Sequence, residues 1–235
     1  SDTADTAGFN NAATGTGPDY TYDIAGNLTS DKNKDIIAIA YNHLNLPTRV
    51  LFNGTNKFIE YTYTASGQKL QKKVTDGSTV TTTQYLDGFV YQNTVLQFFN
   101  HPEGYVRCTP GVFTYIYQYK DHLGNTRLSY FKNTATNALE IIEEDNYYPF
   151  GLKHKGYNST ITTNGNSLAQ KYMYIGQERQ DELGLNWDSF RYRNYDVAIG
   201  RFFGVDPISE KYYYLTNYQF AHNNPVWKIE LEGLE

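Results

Sequence analysis

The chain has 235 residues, a net charge of −5 and a single cysteine, Cys108. One cysteine excludes an internal disulfide framework, and the absence of a basic stripe or long apolar run argues against nucleic acid and against a membrane-spanning segment. Aromatic residues make up 16% of the chain, with 23 Tyr beside 13 Phe, while the mean hydropathy is −0.61, so the buried material is aromatic and amphipathic and suits thin, extended sheets.

Residues 1–18 are small and polar and read as a flexible N-terminal segment, in character the middle or a processed end of a longer chain. A loose repeat follows. Tyr20-Thr21-Tyr22-Asp23-Ile24-Ala25-Gly26-Asn27-Leu28 is echoed at Tyr41-Asn42-His43-Leu44-Asn45-Leu46, at Tyr61-Thr62-Tyr63-Thr64-Ala65-Ser66-Gly67 and at Tyr85-Leu86-Asp87-Gly88. The spacing of about twenty residues is that of stacked repeat units, each a strand, a turn and a return strand. Asn53-Gly54, Asp76-Gly77 and Asp87-Gly88 are tight-turn signals. In each Tyr-x-Tyr pair both rings fall on one face of a strand, so stacked units build an aromatic ladder. Residues 115–127 again read strand, turn, strand. The acidic run Glu140–Asp145 reads as a solvated strand edge rather than a calcium loop.

Further on, residues 160–167 read as a polar hairpin tip or loop. Trp187–Asp196 alternates aromatic and charged residues and predicts one strand with a packed and a wet face. A Gly200-Arg201-Phe202 turn and an Asp206-Pro207 break follow. Leu215–Ala221 predicts a short helix that ends at Asn223-Asn224-Pro225. The five histidines show no i, i+4 metal pair, the serines show no nucleophile elbow, and no phosphate loop is present, so no metal or cofactor is expected. Cys108 reads as an inert thiol. Regular tyrosines serve a sheet's own packing, or they stack on sugar rings.

The early units resemble YD repeats, with Thr64 standing where the repeat has Asp. Residues Tyr115–Arg127, Tyr147–Gly151, Tyr172–Glu178 and Trp187–Pro207 resemble the RHS repeat-associated core, which closes the shell of RHS and YD-repeat proteins. The resemblance implies an all-β fold of antiparallel hairpins coiled into a spiral β-shell segment, with YD-repeat-like strands over 19–110 and an RHS core over 111–235. The shell-motif positions it marks are Tyr22, Asp23, Gly26, Asp121, Gly124, Arg127, Arg191, Tyr192, Tyr195, Asp196, Gly200, Arg201, Phe202 and Pro207.

In many proteins of that family two aspartates in Asp-Pro motifs cut the chain at the end of the core. The first survives as Asp206-Pro207; at the second, Glu230-Leu231 stands for Asp-Pro, and the cut would follow Leu234. Two close carboxylates share a proton, so that one activates water while the other protonates the scissile carbonyl. Glutamate's extra methylene displaces the carboxylate, which catalytic geometry tolerates badly. The resemblance therefore implies a structural shell or cap that encloses a passenger such as a toxin. Its partners would be further YD-repeat shell in the same or another polypeptide, the passenger itself, and a secretion-system or surface protein. Self-cleavage through Asp206 and Glu230, and a surface that binds carbohydrate or protein, are the alternatives. The Leu231-Glu232-Gly233-Leu234 segment and the variant motifs resemble RHS proteins of Bacteroidetes, which implies secretion or a place at the cell surface.

Overall fold

The computed structural model describes residues 8, 9, 11, 17–154 and 164–234; most of segment 1–18 and positions 160–163 of the expected hairpin tip lie outside the described residues. The described chain is all-β, built from one large and one small antiparallel sheet. The large sheet has thirteen strands in chain order. They are β1 (Tyr20–Tyr22), β2 (Leu28–Asp31), β3 (Ile36–Tyr41), β4 (Pro47–Phe52), β5 (Lys57–Tyr63), β6 (Lys69–Asp76) and β7 (Thr79–Leu86), then β8 (Phe89–Gln92), β9 (Val95–His101), β10 (Gly104–Thr109), β11 (Val112–Lys120), β12 (Thr126–Lys132) and β13 (Leu139–Glu144). The small sheet comprises β14 (Glu178–Gln180), β15 (Trp187–Ser189), β16 (Asn194–Asp196) and β17 (Arg201–Phe202). The large sheet runs unbroken through the two-residue turn at Pro110-Gly111, where the motifs change character.

The repeat has a structural signature in its turns. Asp23 accepts the backbone N–H of Asn27 at 2.8 Å and its side-chain amide at 3.0 Å. Asp121 does the same for Asn125, at 3.0 Å to both groups. Asn42 accepts the Leu44 and Leu46 amides, and Thr64 accepts the Gln68 amide through its hydroxyl at 3.0 Å. In all four turns the residue three further on, Gly26, Gly124, Asn45 or Gly67, has a left-handed backbone. One turn therefore recurs with three chemistries of acceptor, because a short polar side chain can replace a backbone partner in such a bend.

One face of the large sheet is covered and the other is open. Leu28, Ile36, Ile39, Val50, Phe52, Ile59 and Tyr61 pack on Leu185, Trp187 and Phe203, which come from the C-terminal third. Val90, Phe98, Tyr105, Ile116, Phe131 and Ile142 pack on Leu168 and Ala169. The C-terminal region keeps an aromatic core of its own, with Tyr195 and Phe220 stacked at 4.3 Å. Each of these large side chains contributes about 1.5–3 kcal/mol by leaving water.

Three expectations need correction. Trp187–Asp196 is a hairpin rather than one strand: β15 and β16 pair antiparallel across a turn at residues 190–193, closed by the Phe190 amide donating to the Arg193 carbonyl at 3.1 Å. Residues 215–221 form turns, and the helical character is confined to 3₁₀ turns at Ser209–Tyr212 and Ala221–Asn223. Aromatic packing of Phe220 and hydrogen bonds from the neighbouring loops override the weak helical signal there. The acidic run is not wholly solvated: at a register shift in the β12–β13 pairing the consecutive residues Ile142 and Glu143 are both buried, and Asp145 is buried just beyond them.

Candidate functional site

The sequence-marked carboxylates Asp206 and Glu230 converge on one side chain, Arg193. All three are buried, with 5%, 1% and 3% exposure respectively. Arg193 leaves the 190–193 turn just before β16. Its Nη2 donates to Asp206 Oδ2 at 2.8 Å and lies 3.6 Å from Glu230 Oε1. Because both distances end on one nitrogen, the two oxygens are no further apart than the sum of 2.8 and 3.6 Å. The other donors are also committed: Nε reaches the Gly233 carbonyl at 2.6 Å and Nη1 the Asn217 carbonyl at 3.0 Å. The guanidinium sits 3.9 Å over the Phe202 ring, a cation–π placement favoured where water is excluded.

Local structure holds each carboxylate. Asp206 Oδ1 accepts the Ile208 amide at 2.8 Å, which caps the turn that Pro207 begins. Glu230 Oε2 accepts the Ala221 amide at 3.0 Å, at the start of three consecutive left-handed residues, Ala221, His222 and Asn223. Such a run is costly unless its surroundings fix it. Gly233 is needed for close approach, since a Cβ there would lie 3.2 Å from both the Arg193 backbone nitrogen and Phe190 Cβ.

Chemically, the guanidinium attracts both carboxylates, bonding Asp206 directly and lying just beyond bonding distance of Glu230. An acid dyad works differently, by sharing one proton between carboxyls that touch. The arrangement offers electrostatic polarisation of the Gly233 carbonyl, with two carboxylates beside it.

The remaining marked residues spread outward from this cluster. Phe202 lies beneath the guanidinium. Arg191 approaches Glu232 at 3.6 Å, and the Tyr192 amide donates to the Glu232 carbonyl at 3.1 Å. Tyr195 is fully buried and donates to the Phe150 carbonyl, and Asp196 pairs with Lys34 at 2.7 Å. Gly200 is left-handed in the turn between β16 and β17, and Arg201 donates to Asn223 Oδ1 at 3.0 Å. Tyr22 packs edge-on against Tyr218, whose hydroxyl donates to the Gly26 carbonyl, so the first repeat touches the C-terminal region. Asp121 and Gly124 lie apart, in the turn between β11 and β12, and Arg127 stands at the start of β12 over the Tyr147 ring.

A second charged cluster, which no local motif announces, clamps the small sheet to the large one. Lys72 Nζ donates to Glu178 Oε1 and Glu182 Oε1, both at 2.7 Å, and Lys69 Nζ donates to Glu178 Oε2 at 2.6 Å. Tyr85 donates to Glu178 at 2.8 Å and Tyr61 to Gln180 at 2.5 Å. Burial alone would raise the Glu178 carboxyl; the Lys69 and Lys72 ammonium groups overcome it and hold that carboxyl far below the usual range.

The tyrosine ladder turns inward at Tyr41, Tyr61, Tyr63 and Tyr85, with Tyr41 and Tyr63 donating to the Leu28 and Pro47 carbonyls, while Tyr22 is exposed. The open face carries aromatics too. Phe89, Phe99 and Phe113 form one row, and His101 meets Tyr115 and Tyr117, which stacks on Tyr130.

No known family's sequence profile matches the chain. Among curated proteins it is similar to salivary gland surface protein 1 of Aedes aegypti, 28% identical over 219 residues, 92% of this chain and 5% of that protein. Among solved structures it is similar to the TcdB2-TccC3 complex, with a TM-score of 0.66, 18% identity and coverage of 92% of this chain and 13% of that one. The TcdB2-TccC3-Cdc42 structure gives a TM-score of 0.64 at 19% identity, and the Photorhabdus luminescens Tc holotoxin pore with mutation TccC3-D651A gives 0.62 at 18%, each over the same shares of the two chains. The fold is RHS-like. This RHS-like chain spans a small part of the length of the proteins it matches. Among the described residues no helix is long and apolar enough to cross a membrane, and no group of His, Cys, Asp and Glu is placed to hold a metal ion.

Proposed function

We propose that the chain is a wall-and-closure module of an RHS/YD-repeat shell, outside the cell or on its surface, which helps enclose a passenger polypeptide. Strands over 19–110 supply wall and residues 111–235 supply closure. The observation that carries this reading is the single thirteen-stranded sheet of recurring turns, with the C-terminal third bonded across one face. A sheet with one face covered and its repeat turns in register is what a wall needs; a repeat unit alone cannot bury its face. Likeness to structures of Tc toxin components supports toxin-related partners. Protease protection on the full-length polypeptide tests the proposal. The passenger should survive digestion in the intact protein and be degraded once the shell is unfolded; a passenger digested freely from the native protein refutes enclosure.

Self-cleavage is a second reading with a specific observation behind it, the Arg193 contact to both carboxylates and to the Gly233 carbonyl. Intact mass of the full-length product, wild type beside Asp206→Asn, decides it. A cut near Leu234 in wild type alone makes the cluster catalytic. An uncut wild type makes it structural. The open aromatic face supports a third reading, a surface that binds carbohydrate or protein. Loss of glycan or cell binding on Tyr115→Ala with unchanged stability is its expected mark.

A further inference from the structure

At the end of β13 two acids meet in a buried site with a single cation against them among the described residues. Glu143 and Asp145 are 4% and 1% exposed. Lys153 forms an ion pair with Asp145 Oδ1. The groups that face the pair come from several elements. Ser129 of β12 lies opposite Glu143 in the ladder, and Tyr105 of β10 points its hydroxyl to the same interior. Tyr147 donates to the Thr126 carbonyl at 2.9 Å and contacts Asp145 Oδ2 at 3.3 Å, and Gln170, from beneath the sheet, bonds Glu143. Two cations stand further off with their own partners: Arg107 donates to the Asn164 carbonyl and Thr114, and Arg179 pairs with Asp188 at 2.5 Å. Among the described residues Lys153 is thus the one ammonium paired with this couple of carboxyls, through Asp145, and Glu143 Oε2 is buried with no hydrogen-bond donor. Two carboxyls and one ammonium in a dry site carry an uncompensated negative charge unless a proton is held between them.

We propose that Glu143 and Asp145 form a proton-held latch that fastens the last strand of the large sheet to the segment packed against it, and that removal of this proton releases the latch. Lys153 and Gln170 are the fastened groups, and both come from outside the large sheet. With the proton present, Glu143 is neutral, Asp145 pairs with Lys153, and the site balances. Without it, a second carboxylate sits beside the first, and the local remedy is for the strand end to part from Lys153 and Gln170 and admit water.

The direction with pH follows. Burial, then the hydrogen bond and charge of Asp145, push the Glu143 carboxyl up from 4.5 to about 9. A folded-state value above the unfolded one gives stabilisation that is complete below pH 4.5, declines as pH rises and is gone above about 9. Each pH unit in that window multiplies the opening constant about tenfold.

Hydrogen exchange on the full chain tests this, corrected for the intrinsic pH dependence of exchange. Amides of residues 140–145 should show an opening constant that climbs about tenfold per pH unit from neutral to about pH 9 in wild type. In Glu143→Gln the profile should be flat. A flat wild-type profile, or the same slope in Glu143→Gln, overturns the latch. If Glu143→Gln fails to fold, infrared spectroscopy of the wild type decides alone. A protonated-carboxyl band at neutral pH that vanishes on raising the pH is the expected result, and its absence overturns the proposal.

Discussion

Arg193 is the residue on which the C-terminal region turns. Its guanidinium holds Asp206, Glu230, Asn217 and Gly233, which are distant in sequence. Removing it leaves two buried carboxylates without their cation. Arg193→Met should therefore lower stability by about 3–5 kcal/mol in chemical denaturation. Adding Asp206→Asn and Glu230→Gln should recover a good part of that loss, because the stranded charges go with them. Glu178 supplies a second case at this scale, with the sign set by Lys69 and Lys72. Its folded value lies below the ordinary 4.5, so its contribution is intact at neutral pH and drains away as pH falls below about 4.5. The acid limb of the stability profile should be shallower in Glu178→Gln than in wild type, although the variant is weaker at pH 7.

At the scale of the element, the recurring turn makes its own prediction. Asp121 accepts the Leu123 and Asn125 amides and the Asn125 side chain. Asp121→Ala should cost about 1–3 kcal/mol, since those donors lose a charged acceptor. Thr64 fills the same place with a neutral hydroxyl, so Thr64→Asp should stabilise by roughly 0.5–1 kcal/mol. Both are read from urea midpoints. These turns were legible in the sequence because their cause is local: a short polar side chain and a left-handed residue three positions on. Strand alternation was legible for the same reason. The hairpin at Trp187–Asp196 was not, because the alternation continues through residues 190–193 while the backbone folds back. That fold is why Arg193 is buried and Arg191 is half in water, although both occupy the same phase of the pattern. The Lys72–Glu178 clamp spans 106 residues of sequence and leaves no local trace. Asp206 and Glu230 were marked as candidates through resemblance; their common partner needed the structure.

For the whole molecule, the two sheets stand or fall together. Ile36, Val50, Phe52 and Ile59 owe their burial to Leu185, Trp187 and Phe203. A chain that stops before Glu178 should keep hairpin-forming strands but expose that apolar face, and size-exclusion chromatography should show it associating rather than running as a monomer. Full-length material should instead unfold in one transition by both far-UV and aromatic signals.

The bonds that join the first repeat to the C-terminal region also set an order in time. The Tyr218 hydroxyl reaches Gly26 across 192 residues, the Leu28 amide donates to the Phe203 carbonyl, and Lys34 donates to the Leu185 carbonyl across 151. A ribosome delivers residue 28 long before residue 203. Through that interval the earliest strands exist with their greasy side bare, and contacts this remote are slow to find one another. The nascent chain thus spends most of its synthesis unfinished. Whatever the cell provides to shield it in those seconds matters as much to yield as any bond in the finished fold.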